Sequence, residues 1–231
     1  MTALILQCCE AEDLGLYIDV LTDLGVRLRL VHAYREPIPA VTDYDVLMIG
    51  GTPDASYRRA EFPYLSAVYD VICRAVRADK ACFGICCGAQ LLAIALGGEA
   101  RPSPVVEIGL TELALTRAGR ADPVLRGFPD RFPAFEWHAD TFDVPPGADL
   151  LVVGEASRNQ MFRKGRAVGV MFHLEVSAEA AGRWARAYAD ELREAGKTAE
   201  ELVAECRARE GEMRELGRRM ATDYISFFTT R

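Results

Sequence analysis

Short apolar runs and stretches with helical spacing alternate along the first hundred residues. The apolar runs predict strands over Ala3–Leu6, Val26–Val31, Asp45–Ile49 and Ala81–Ile85. Apolar positions three or four residues apart predict helices over Asp13–Leu24, from Pro63 to about Val76, and from Gly88 to Leu96. Strands that alternate with helices predict an α/β fold with a mostly parallel central sheet flanked by helices.

From about Val105 the pattern changes to shorter strand-like pieces separated by turn residues. These pieces predict strands over Val106–Leu115, Leu150–Val153, Gln160–Arg163 and Ala167–Phe172. The segment Arg163-Lys164-Gly165-Arg166 predicts a hairpin turn between the last two strands. We therefore expect a small antiparallel β extension beside the parallel sheet.

The chain becomes helical after Ser177. Thr198, followed three residues later by Glu201, predicts a capped helix start that divides this tail near Gly196. We expect residues 1–177 to form the main domain and residues 178–231 a helical C-terminal extension packed on it. The Met, Leu and Tyr stripe of the second tail helix is typical of a helix packed on its own core. A homodimer interface or a docking surface for a synthetase would give the same pattern.

Composition narrows the classes of partner. Half of the 231 residues are hydrophobic, the formal net charge is −7 and the pI is near 5.1. An acidic chain of this kind lacks the basic stripe that a nucleic-acid-binding surface needs. The N-terminal segment has no basic region or cleavage site typical of a signal peptide, and no apolar segment is long enough to span a membrane. We expect a cytoplasmic protein without nucleic-acid or membrane partners.

The seven cysteines do not form the pattern of a disulfide framework, because their number is odd and they cluster in apolar runs. Neither a CxxC pair nor an HxxxH pattern occurs, so we expect no metal site and no cofactor. Most of these cysteines fit small buried apolar positions.

Cys86 differs from the other cysteines because it lies where a predicted strand passes into a predicted helix. Gly84 and Gly88 flank it at i−2 and i+2 and leave room for a sharp turn, as in a nucleophile elbow. The following helix N-terminus favours the reactive thiolate, and the backbone N–H of Cys87 would point toward an oxyanion. The alternative is a turn lined with buried cysteines.

His173 is the best candidate for a base. It ends an apolar run, and Glu175 at i+2 would share its face of an extended segment and orient the imidazole. A solvated polar pair is the alternative interpretation. His138 competes for the role, since Asp140 follows it at i+2, but it is predicted to lie at a loop end and to be a substrate-side or structural residue. His32 closes an early strand and is expected to be structural.

Three segments, in order, resemble the signature motifs of class I glutamine amidotransferases. The segment from Gly84 to Gln90 resembles G-I-C-x-G-x-Q, the segment from Val170 to Glu175 resembles G-V-Q-F-H-P-E, and the segment from Ile49 to Pro53 resembles the Gly-Gly-Pro loop. The resemblance covers roughly Ala3 to Ser177. It is closest to the stand-alone, GMP-synthase-like branch, on the segments Glu107-Ile108-Gly109 and Trp137-His138-Ala139-Asp140-Thr141-Phe142.

This resemblance implies a flavodoxin-like sheet, a catalytic domain over residues 1–177, and roles for individual residues. It implies Cys86 as nucleophile, His173 as base and Glu175 as its partner. It further implies that Gly51 and Cys87 form an oxyanion site. The substrate site that it implies consists of Gln90, Gly50, Thr52 and His138. The sequence departs from the family pattern at three positions, with Met171 in place of Gln, Leu174 in place of Pro, and Thr52 between Gly51 and Pro53.

The resemblance implies hydrolysis of the glutamine side-chain amide to glutamate and ammonia through a thioester on Cys86. Because the sequence contains no P-loop pattern, we expect any ammonia acceptor to be a separate synthetase chain. A γ-glutamyl peptidase acting on γ-glutamyl conjugates is the alternative, and a catalytically silent binding or regulatory subunit is a third. A related group of proteins with an elbow cysteine usually places His directly after it, whereas here Cys87 follows.

Overall fold

A computed structural model describes residues 1–40 and 42–229 and confirms the α/β class and the flavodoxin-like sheet. Its nine strands form one sheet in the order β2-β1-β3-β4-β9-β8-β7-β5-β6. The strands are β1 (Thr2–Gln7), β2 (Arg27–His32), β3 (Val46–Ile49), β4 (Ala81–Ile85), β5 (Ala100–Leu115), β6 (Arg131–Phe142), β7 (Asp149–Val153), β8 (Asn159–Lys164) and β9 (Ala167–Val170).

Seven α-helices and two short 3₁₀ helices surround the sheet in the described part of the chain. The helices are α1 (Gly15–Asp23), α2 (Pro63–Arg77), α3 (Cys87–Ala95), α4 (Arg117–Ala121), α5 (Ala178–Ala187), α6 (Ala189–Glu194) and α7 (Ala199–Thr229), with 3₁₀ turns over Ser56–Glu61 and Pro123–Leu125. Apolar side chains of α1, α5 and α7 pack in one core cluster, and those of α2 and α3 pack in a second. None of these helices is long and apolar enough to cross a membrane.

The parallel half of the sheet sets the position of the site. Strands β2, β1, β3, β4 and β9 run in parallel, with Ile49 paired to Gly84 and Ile85 paired to Val170. Strands β3, β4 and β9 consist wholly of buried residues, as expected of strands covered on both faces. Their carboxyl ends therefore place the segments that follow them side by side at one edge of the sheet.

The antiparallel half contains a strand that the sequence pattern did not predict. His138 was expected at a loop end, but it lies within β6, which pairs with β5 from Arg131 to Phe142. Pro133 interrupts the strand pattern there, and β6 tolerates it because it is the edge strand of the sheet. Strand β5 is also longer than predicted, since it begins at Ala100 and passes through a register shift between Pro102 and Glu107.

The helical tail divides where the capping pattern predicted. Helix α6 ends at Glu194, and Thr198 caps α7: its hydroxyl accepts from the Glu201 N–H at 3.2 Å, and its own N–H donates to the Glu201 carboxylate at 2.9 Å. A second break, at Tyr188 between α5 and α6, was not predicted.

The apolar stripe of α7 is buried against the rest of the chain. Its members belong to the same core cluster as residues of β4, β6 and β9: Leu202, Cys206, Met213, Leu216, Met220 and Tyr224. The tail thus packs on the sheet. The division into domains of residues 1–177 and 178–231 stays a prediction. The last two residues of the second range lie outside the described part of the chain.

Candidate active site

Cys86 forms a strained turn between β4 and α3. Its φ of 51° and ψ of −113° place a non-glycine residue at positive φ, a conformation that L-amino acids rarely adopt. A Cβ at Gly84 would lie 2.5 Å from the Gly88 carbonyl oxygen, and one at Gly88 would overlap the Ile49 carbonyl. Both flanking glycines are therefore required by the close approach of backbone to backbone, and the turn lifts the thiol above the sheet edge.

The thiol of Cys86 is almost fully buried, with its Sγ 3.9 Å from the Trp137 carbonyl oxygen. Burial raises the pKa of Cys86. His173, through hydrogen bonding and its charge, and the backbone N–H of Cys87 lower this pKa, but by less than burial raises it. The thiolate at this position therefore depends on the imidazole beside it.

His173 follows β9 and is held on three sides. Its Nδ1 lies 2.5 Å from Glu175 Oε1, its backbone pairs with Phe135 of β6, and the Trp184 ring meets the imidazole edge-on at 4.9 Å between centroids. Burial opposes a charged imidazole, but the Glu175 carboxylate and the Cys86 thiol outweigh it and raise the pKa of His173 well above its usual value. The structure thus brings together the three residues that the sequence pattern singled out.

His138 is paired differently from the expectation. Its Nε2 lies 3.1 Å from Glu136 and 3.4 Å from Glu107, so its carboxylate partners are these two residues rather than Asp140. Burial opposes the charged ring, yet Glu136 and Glu107 raise the pKa of His138. Neither buried ring nitrogen meets the geometry of a hydrogen bond with a described residue, and Nδ1 is in addition not paired with any carboxylate, which leaves it free for a ligand.

A cleft of about 120 Å³ opens over Cys86. Of the predicted substrate residues, Thr52, Gln90 and His138 line it together with Cys87. Gly50 and Gly51 are buried behind its wall, and a Cβ on Gly51 would lie 3.3 Å from the Cys86 Cβ. The Gln90 side chain accepts a hydrogen bond from Ser56 at 2.6 Å. His32 ends β2 and is not among the residues that line the cleft.

Glu12 is a buried residue of the cleft that the sequence pattern did not reveal. It follows β1, and Trp184, which donates to the Ala11 carbonyl at 2.8 Å, fixes the loop that carries it. Its Oε1 accepts from the Tyr188 hydroxyl at 2.8 Å, and its Oε2 faces Gly51. Burial raises the pKa of Glu12 to about 7, although the Tyr188 hydrogen bond and the charge of His173 oppose the increase. Its place in the loop that follows a parallel strand was the signal that could have found it.

The cleft also includes residues of the helical tail. Tyr188, at the α5–α6 break, and Glu191 of α6 line it opposite the strand ends, and Glu191 accepts a hydrogen bond from the Trp137 indole N–H at 2.8 Å. No group of three or more His, Cys, Asp or Glu side chains suited to a metal ion occurs among residues 1–40 and 42–229. The arrangement is one of a buried thiol, an imidazole and several carboxylates.

Comparisons with known proteins point to one family. The family model described as glutamine amidotransferase class-I matches residues 15–186. YfeJ, a glutamine amidotransferase-like protein of Salmonella typhimurium, is 32% identical over 204 residues, which are 85% of each chain. One subunit of the glutamine-hydrolyzing GMP synthase of Sulfurisphaera tokodaii is 32% identical over 145 residues, covering 62% of this chain and 73% of that one. The crystal structure of a glutamine amidotransferase from Thermotoga maritima superposes with a TM-score of 0.87 at 28% identity, covering 97% of this chain and 98% of that one.

Proposed function

Because the chain belongs to the class I glutamine amidotransferase family, we propose that it hydrolyses a γ-glutamyl amide with Cys86 as the nucleophile. The observation that carries this proposal is the positive-φ cysteine at a strand–helix junction, beside an imidazole that favours its thiolate and that a buried carboxylate orients. That combination activates a nucleophile and holds its base in one tautomer.

The proposed reaction has two steps. His173 takes the thiol proton, Cys86 attacks the amide carbon, and the imidazolium returns the proton to the departing amine as the C–N bond breaks. Water, activated by the same imidazole, then hydrolyses the thioester to release glutamate. Glu175 keeps Nδ1 protonated and stabilises the imidazolium in both steps.

The oxyanion would be stabilised by the backbone N–H groups of Gly51 and Cys87. The Cys87 N–H favours the thiolate of Cys86, and the Gly51 backbone lies beside the Cys86 side chain. Removal of one such donor typically raises the activation barrier by about 3 kcal/mol.

The γ-glutamyl group would lie against Gln90, Gly50 and Thr52. The free Nδ1 of His138 supports a role as hydrogen-bond donor to the substrate α-carboxylate, since Glu136 and Glu107 favour the protonated ring. The proposed substrate is therefore a small molecule that ends in a γ-glutamyl amide.

Cys86→Ala tests the proposal directly. We expect this variant to lose all glutamate release from glutamine and γ-glutamyl amides, and to lose labelling by a diazoketone analogue of glutamine, as measured by mass spectrometry. Cys73→Ala, at a half-buried cysteine of α2 away from the cleft, is the matched control and should behave like the wild type. Unchanged hydrolysis in Cys86→Ala would rule out the assignment, and an unlabelled Cys86 in the wild type would favour a silent subunit.

A second candidate function is that of a glutaminase subunit, which supplies ammonia to a separate synthetase chain. The similarity to a protein named as one subunit of a glutamine-hydrolyzing GMP synthase favours it. The two candidates differ in substrate: a glutaminase subunit should prefer free glutamine, whereas a stand-alone hydrolase should prefer substituted γ-glutamyl amides. Steady-state kcat/KM values for both substrate classes separate them.

A further inference from the structure

The cleft over Cys86 carries an excess of negative charge. Four carboxylates line it, from the buried Glu12 through the half-buried Asp54 and Asp140 to the exposed Glu191. No Lys or Arg is among the described residues that line it, and the one basic side chain there, His138, is already paired with two other carboxylates, Glu136 and Glu107.

Each of these four carboxylates is bonded to a neutral donor only. Glu12 accepts from the Tyr188 hydroxyl at 2.8 Å, Asp54 from the Tyr64 hydroxyl at 2.6 Å, Asp140 from the Tyr57 hydroxyl at 3.3 Å, and Glu191 from the Trp137 indole N–H at 2.8 Å. None of the four takes part in an ion pair with a described residue, although many surface carboxylates of this chain do. The donors fix the position of the carboxylates without an ion pair. Burial raises the pKa of Glu12 to about 7, so this carboxyl is charged only in part near neutral pH, and a bound cation would favour its charged form.

A further observation indicates that the cleft takes a ligand. The Nδ1 of His138, a residue of the cleft wall that is 5% exposed, has no hydrogen-bond partner among the described residues. Buried polar atoms without partners are costly, so this nitrogen is expected to be satisfied when the cleft is occupied. The carboxylate of Glu12, a residue only 7% exposed, faces Gly51 beside Cys86 and can meet a cationic group of the same ligand.

The charge exceeds what glutamine needs. The α-ammonium of a γ-glutamyl group pairs with one carboxylate, and its α-carboxylate with a donor such as His138. The remaining carboxylates include Asp140 and Glu191, which are more exposed than Cys86 and therefore lie toward the opening through which a leaving group extends.

We propose that the cleft selects γ-glutamyl amides whose leaving amine carries a second, positively charged amino group, that is, mono-γ-glutamylated aliphatic diamines. This inference rests on the proposed function and specifies its substrate class. Asp54, Asp140 and Glu191 bind the distal ammonium, and the α-ammonium is held by Glu12.

The chemistry of the step is unchanged. The Cys86 sulfur forms a bond to the γ-carbonyl carbon, the C–N bond breaks, and the near amine leaves with the proton from His173. Water then cleaves the thioester, and the products are glutamate and the free diamine. The distal ammonium takes no part in bond making and contributes only binding.

Three synthetic amides of equal length test the proposal: the γ-glutamyl 4-aminobutyl, pentyl and 3-carboxypropyl amides, which carry a cation, no charge and an anion. We expect kcat/KM to fall in that order, with the cationic amide at least about tenfold above the neutral one at low salt. The preference should shrink as salt rises from about 0.02 M to about 0.5 M, because partly exposed charges are screened.

Asp140→Asn combined with Glu191→Gln should reduce the ratio of cationic to neutral kcat/KM by about tenfold. Asp149→Asn, at an exposed residue of β7 outside the cleft, removes a charge without changing the ratio and is the control. The salt dependence of the wild type supplies an independent result if the double variant folds poorly.

The outcomes distinguish a failure of the substrate preference from a failure of the proposed function. Equal kcat/KM for the cationic and neutral amides, with hydrolysis that depends on Cys86, would overturn the inference and leave the proposed function in place. A ratio that neither salt nor the double variant alters would also overturn the inference. Absence of any Cys86-dependent hydrolysis of γ-glutamyl amides would overturn the proposed function, and the inference with it.

Discussion

At the scale of single residues, the site combines groups whose ordinary charge states are disfavoured by burial. The pKa values of Glu12, Cys86 and His173 all depart from their usual range, and the three groups influence one another. Such mutual dependence is typical of functional clefts, where charge is placed without full compensation.

Glu12 makes folding stability depend on pH. Burial raises its pKa from an ordinary value near 4.5 to about 7, so the folded state binds more protons than the unfolded state between these values. Stability from this residue is therefore lost as pH rises across that window. Glu12→Gln keeps an acceptor for Tyr188 and cannot ionise, so it should stabilise the protein by up to about 3 kcal/mol at pH ~8 and by almost nothing at pH ~4.

Urea denaturation at the two pH values measures the effect of Glu12→Gln. Glu10→Gln, two positions earlier on an exposed residue, is the matched control and should change stability little at either pH. A loss of stability at the higher pH would show that Glu12 is stabilised by its surroundings in the charged form.

Glu175→Gln should slow reaction of the Cys86 thiol. Glu175 raises the pKa of His173, and His173 favours the thiolate, so removing the carboxylate lowers the pKa of the imidazole and depopulates the ion pair. We expect iodoacetamide alkylation of Cys86 near pH 7 to fall by about tenfold or more and kcat to fall by about a hundredfold or more.

Mass-spectrometric rates of alkylation as a function of pH check this prediction. The control is Glu179→Gln, which alters a carboxylate of α5 that is 87% exposed. Equal alkylation rates in wild type and Glu175→Gln would mean that the carboxylate does not act through the imidazole.

Cys86 and His173 could be predicted because each follows an apolar run, and parallel strands end at a common edge. Glu175 could be predicted because it lies two residues after His173. Glu12 could not, since its burial depends on Tyr188, 176 positions away. The carboxylates beside His138 could not be predicted either, because Glu107 lies on a neighbouring strand and Glu136 precedes His138 at the same spacing at which Asp140 follows it.

At the scale of elements, the turn from β4 into α3 depends on two backbones in close contact. Gly88→Ala would press a methyl group against the Ile49 backbone, which cannot move without disturbing the sheet. We expect a loss of more than about 2 kcal/mol of unfolding free energy and a displaced Cys86 with reduced alkylation.

Gly211→Ala is the contrasting substitution. Gly211 lies inside α7, is exposed, and a Cβ there would meet nothing within 4 Å. The substitution should stabilise the protein by about 0.5–1 kcal/mol through helix propensity. Denaturant titrations of both variants provide the comparison, and a neutral Gly88→Ala would contradict the steric account of the elbow.

The elements of the parallel half could be predicted to within a few residues, because buried strands and amphipathic helices have distinct apolar periods. Strand β6 was not predicted, because Pro133 weakens its apolar pattern and its stability derives from pairing with β5. The break between α5 and α6 at Tyr188 was not predicted either. Tyr188 is held in place by contacts with Glu12 and Cys9, which come from the other end of the chain.

At the scale of the whole molecule, α7 and the sheet share one apolar core. Met220 is fully buried, whereas Phe227 of the same helix is 49% exposed. Met220→Ala should cost about 2–5 kcal/mol of unfolding free energy, and Phe227→Ala less than about 1 kcal/mol.

Two probes show whether the tail unfolds with the rest. Circular dichroism reports all helices, and tryptophan fluorescence reports Trp137 and Trp184 near the cleft. Because the core is shared, Met220→Ala should shift both transitions together. Separate transitions would indicate that the tail folds as an independent unit.

The cleft joins residues from distant parts of the chain: Glu12 comes from the first loop and Tyr188 from the break between α5 and α6. A ribosome delivers them in that order, so a nascent polypeptide holds Cys86 before the opposite wall exists. The hydrolytic competence proposed for this cleft would therefore be acquired late in translation.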